Sequence, residues 1–71
     1  MSIELSNQEK KDVVKSHLRN VAVNKYNTEL SLLEEKARKN PDQTLIDNLT
    51  AALEQADSQA AVLQAELDKL G

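Results

Sequence analysis

Residues 46–70 read IDNLTAALEQADSQAAVLQAELDKL. Within them Ile46, Leu49, Leu53, Ala56, Ala60, Leu63, Leu67 and Leu70 recur in alternating steps of three and four without a register error. That spacing is the a/d seam of a helix built to lie along another helix. A second stripe lies upstream of the single proline, Pro41: Val14, Leu18, Ala22, Tyr26, Leu30, Leu33 and Ala37. Its early steps are all of four residues, so it settles into a heptad only after Tyr26. The chain therefore reads as all-α, with two long antiparallel helices forming a coiled-coil-like helical hairpin.

Local chemistry sets the expected boundaries. Ser6 is followed three residues later by Glu9, the reciprocal capping pattern of a helix start. No glycine or proline interrupts the chain from there to Lys39. Proline lacks an N–H and pushes its predecessor out of the helical region, so the first helix is expected over 7–39. Asn40 suits an N-cap and Pro41 a first helical position, which predicts a turn at 40–41 and a second helix over 42–70. Residues 1–71 then form a single hairpin domain.

Register follows from the turn. With its centre near Asn40 and Pro41, Leu33 should meet Leu49, Leu30 should meet Leu53, Leu18 should meet Leu63 and Val14 should meet Leu67. Tyr26, the one aromatic residue, falls opposite Ala56 with Ala60 a turn away, a large side chain against two small ones. The same register sets Lys36 near Asp47, Lys25 near Asp57 and Lys15 near Glu66. Net charge is −3, split as +2 over residues 1–40 and −5 over residues 41–71, as two mutually attracting helices require.

A two-helix layer has one seam and leaves the back of each helix in water. Leftover apolar side chains sit beside the stripes: Val13, Val21 and Leu32 on the first helix, Leu45, Ala52 and Val62 on the second. The expectation is self-association into a four- or six-helix bundle, with a dimer favoured over a trimer because two-fold closure is commonest. The interface of hairpin and oligomer is expected at Val14, Leu18, Val21, Ala22, Tyr26, Leu30, Leu32 and Leu33 on the first helix. On the second it is expected at Leu45, Ile46, Leu49, Leu53, Ala56, Ala60, Leu63, Leu67 and Leu70. If the Val21–Leu32 edge is buried, Thr28 can bond back to the Asn24 carbonyl, and the Asn24 amide needs a partner across the interface.

Candidate chemistry is sparse. His17, the single histidine, has Val13, Val14, Asn20 and Val21 around it and no residue at ligand or acid/base spacing. Glu34 and Glu35 point about 100° apart on a helix. The only glycine is Gly71, so no phosphate-cradling loop is possible, and there is no cysteine. No catalytic, cofactor-binding or metal-binding residue is expected, and no cofactor. Lys11, Lys15 and Arg19 form a basic stripe that supports a second reading, a small nucleic-acid-associated regulator. Against it stand the acidic chain, interleaved Glu9 and Asp12, and the lack of aromatics for base stacking. The expected partner is the chain itself or another helical protein, without nucleic acid or membrane. Met1 to Leu5 lack the basic and apolar regions of a secretory signal, and the longest apolar run is Ala60–Leu63. The reading is a soluble, cytoplasmic protein.

His17-Leu18-Arg19-Asn20, Asn24-Lys25-Tyr26-Asn27 and the stretch Glu29 to Glu35 resemble small helical-hairpin proteins of T4-like phages that infect marine cyanobacteria. The similarity takes in most of the chain, including the proline turn and the Leu- and Ala-rich second helix. That group carries no established activity. The resemblance implies a phage or marine metagenomic origin, placing the protein in the host cytoplasm or the virion, and names no site residues.

Overall fold

The computed structural model describes residues 3–71; Met1 and Ser2, part of the N-terminal reading and of the 1–71 domain, lie outside the described residues. Two helices, α1 (Asn7–Lys36) and α2 (Gln43–Lys69), pack against each other, and no strand occurs among the described residues. They are antiparallel. His17 and Val21 share a groove with Val62 and Leu63, while Glu34 and Glu35 share one with Leu45 and Leu49. The molecule measures 58 × 20 × 16 Å, two helices wide and one thick.

α1 begins as its sequence predicts. The Ser6 hydroxyl accepts from the Glu9 N–H at 3.1 Å, and the Ser6 N–H donates to Glu9 Oε1 at 3.0 Å. The Ser6 N–H, and after it the Ser6 hydroxyl, hold the Glu9 carboxyl below its ordinary value. The expected end at Lys39 and the turn at 40–41 are both corrected. α1 stops at Lys36, capped by Ala37, and α2 is capped by Asp42 rather than Asn40. The connection is thus longer than the expected two residues, running from Ala37 to Asp42. Asp42 takes the cap: its backbone is extended, and its Oδ1 accepts from the Leu45 N–H at 3.2 Å.

The connection is held by Glu35, the one buried residue among those described, at 5% exposure. One carboxylate oxygen accepts from Arg38 at 3.1 Å; the other accepts from Arg38 and from the Asp42 N–H, each at 3.2 Å. This ties the end of α1 to the cap of α2.

The α2 seam is as the sequence spaced it. Its half-buried residues are Ile46, Leu49, Leu53, Ala56, Ala60, Leu63, Leu67 and the capping Leu70; all other α2 residues are exposed. The α1 seam differs from the expected stripe. Lys11, Val14, Leu18, Val21, Lys25, Thr28 and Leu32 are half-buried in alternating steps of three and four, and the seam ends on Glu35. Ala22, Tyr26, Leu30, Leu33 and Ala37 are exposed, Tyr26 at 60% and Leu33 at 64%. The reason is period. Steps of four residues rotate the stripe about 40° each, so Leu30 stands roughly 160° from Val14. A strict heptad on α2 stays in contact only with a strict heptad on α1.

Tyr26 is thus not opposite Ala56, and the pairings of Leu30 and Leu33 with α2 do not form. Val21, Lys25 and Thr28 lie beside Ala56 instead. Lys25 reaches Asp57 at 2.5 Å, the contact that the sequence register places there. The other two expected pairs, Lys36–Asp47 and Lys15–Glu66, are not among the ion pairs of the described residues. Asp47 accepts instead from Gln43, at 2.8 Å.

Glu35→Ala should destabilise the hairpin by about 1 kcal/mol, because it orphans the Asp42 N–H. In a domain of this size that is roughly 4–8 °C in thermal midpoint by circular dichroism. Glu35→Gln, which keeps an acceptor, should recover at least half. A wild-type midpoint for Glu35→Ala would refute the clasp.

Candidate functional site

The chemistry-bearing side chains do not converge. His17 is exposed on an open groove with Val21, Ser58, Val62 and Leu63, and no carboxylate lines that groove. The Ser58 hydroxyl donates to the Glu54 carbonyl at 3.2 Å, as an ordinary helical serine does. Among the described residues no three His, Asp or Glu side chains come together in a way that could hold a metal ion. Glu35 is committed to the connection, and Glu34 is exposed. No helix of the described residues is long and apolar enough to cross a membrane.

The basic stripe does not present one free face. Lys11 is half-buried in the seam, whereas Lys15 and Arg19 spiral outward with the same four-residue drift. Thr28, half-buried, donates its hydroxyl to the Asn24 carbonyl at 2.9 Å. That bond supplies the partner its seam position requires.

What the fold does present is surface. The groove between the helices continues past Asn24, Thr28, Ala52 and Gln59 to Ser31, Arg38 and Leu45. It is mixed: Leu45 and Val62, the latter 70% exposed, are separated by glutamine and serine. The outer face of α1 is different. Val23, Tyr26, Leu30, Leu33 and Ala37 form a second run of alternating three- and four-residue steps, all exposed. Its mean direction lies about 145° around the helix from the seam. Two apolar stripes on nearly opposite sides leave α1 without the one-sided amphipathic character of α2. Val23 is absent from the expected interface because steps of four residues run the two stripes of α1 together; the structure separates them into two heptads, and Val23 opens the second.

Across the other edge of the seam, the hydrogen bond to Asp57, then that carboxylate's charge, hold the Lys25 ammonium above its ordinary 10.5; partial desolvation opposes this, and Glu29 adds slightly to it. A raised value in the folded chain means stability present in full below about pH 10.5 and lost as pH climbs through the folded value. The urea midpoint of the wild type should therefore fall more steeply from about pH 10.5 upward than that of Lys25→Met. Parallel curves for the two proteins would show that the pair makes no contribution to folding.

Comparison with protein-family models, with curated proteins and with solved structures finds no match to this chain.

Proposed function

We propose that this chain is a non-enzymatic, self-associating helical hairpin whose output is a helical surface: a structural, assembly or protein-interaction factor. The observation that carries the reading is the lack of an interior. Not one apolar residue among the described ones is fully buried. Each seam residue is covered from one side only, because two rods side by side have no third layer. A folded monomer of 7.9 kDa is expected to expose about 4,400 Å². This one exposes 5601 Å², about 1,200 Å² more than that expectation.

Association is the physical remedy for such a surface, and a dimer is the simplest closed form. The resemblance to cyanobacterial-phage hairpins supports a phage-encoded factor acting in the host cytoplasm or in a virion.

Analytical ultracentrifugation across a dilution series, with helicity followed in parallel, tests the proposal. A mass of two chains that falls on dilution, with the thermal midpoint falling alongside, is the expected result. A monodisperse monomer with a cooperative, concentration-independent melt would overturn it.

A further inference from the structure

Resting on the self-association proposed above, we infer that the occupant of the outer α1 face is a second copy of the same face, packed antiparallel about a two-fold axis.

Three observations carry this. First, the stripe Val23, Tyr26, Leu30 and Leu33 is exposed along its whole length with no polar residue in its a/d-like positions. The inter-helix groove is interrupted by glutamine and serine, and the outer positions of α2 include Asp47, Glu54 and Asp68. The α1 stripe is thus the surface that gains most from leaving water.

Second, the face can be covered whole. Its four large side chains, 38–64% exposed, lie over roughly 15 Å of helix, so one partner helix reaches all of them. That contact is smaller than the ~800 Å² that each partner contributes to a standard interface, so the dimer should dissociate in the micromolar range.

Third, the polar flanks select the direction. Antiparallel pairing that sets Tyr26 on the partner's Leu30 and Val23 on the partner's Leu33 also brings Asn27 to the partner's Asn27. Two amides there can exchange hydrogen bonds. Asn20 then meets the partner's Glu34 twice, and the one like-charge contact is Glu29 with its own copy at the axis. Parallel pairing sets Glu29 against the partner's Glu34 twice. It also places the basic cluster Lys36, Arg38 and Lys39 of one hairpin beside that of the other. The antiparallel arrangement therefore has fewer repulsive contacts.

Sedimentation equilibrium of wild type, Leu33→Glu and Val62→Glu tests the face. Leu33 is exposed in the hairpin, so its substitution spares the seam; Tyr26→Ser serves as a second variant if Leu33→Glu loses helicity. A carboxylate in each half of the apolar contact should weaken the dimer by about 100-fold. Val62→Glu should change it by less than about threefold. Asn27→Cys should form a disulfide dimer under mild oxidation, whereas Ser58→Cys in the inter-helix groove should not. Dissociation by Val62→Glu but not by Leu33→Glu would overturn the proposed face while leaving self-association intact. Dissociation by Leu33→Glu with no Asn27→Cys cross-link would overturn the antiparallel direction. A wild type that is monomeric at every concentration would remove the self-association reading and this inference together.

Discussion

The period of the α2 seam is the constraint on which the rest of the molecule depends. Eight aliphatic positions on a strict heptad oblige the facing helix to keep the same period over its full length. α1 complies even where its best apolar residues lie elsewhere. Its seam accepts Lys11, Lys25, Thr28 and Glu35, and the last three each find a partner. The Lys25 ammonium leaves the seam for Asp57, and the Thr28 hydroxyl turns back to the Asn24 carbonyl. Glu35 becomes the carboxylate that fastens the connection. Polar side chains in a seam cost little when each finds a partner at the edge of a thin structure.

The displaced apolar residues are the consequence. Tyr26, Leu30 and Leu33, with Val23 before them, are carried to the far side of α1. That helix is two-sided and α2 is one-sided, so the hairpin has a polar back and an apolar back. The molecule is short of interior, not of apolar side chains. The one buried carboxylate among the described residues, Glu35, is taken up by Arg38 and the Asp42 N–H.

Much of this was legible in the residues. The capping pair Ser6 and Glu9, all eight α2 seam positions and the Lys25–Asp57 register follow from local rules that tertiary context does not override. The connection was less legible. Asn40, Pro41 and Asp42 each suit a helix start, and the contact that distinguishes Asp42 is a tertiary one, from its N–H to the buried Glu35. The α1 stripe was the least legible, because its apolar residues from Val14 to Leu30 trace a four-residue ramp that crosses from one seam to the other. Following hydrophobicity alone along that ramp merges two faces into one. Reading α1 for the period that α2 imposes separates them. The outer stripe then emerges as a candidate contact surface in its own right, with Val23 included and Ala22 left out.

Proton–proton contacts to the lone aromatic ring, measured by NMR on the wild-type chain, test this account most directly. The Ala56 methyl should show cross-peaks to Val21 and to the Lys25 stem, and the Tyr26 ring to Val23 and Leu30 but to no residue of its own α2. Cross-peaks from the Tyr26 ring to the Ala56 and Ala60 methyls within one chain would contradict it. They would return the tyrosine to the seam and leave α1 with a single face.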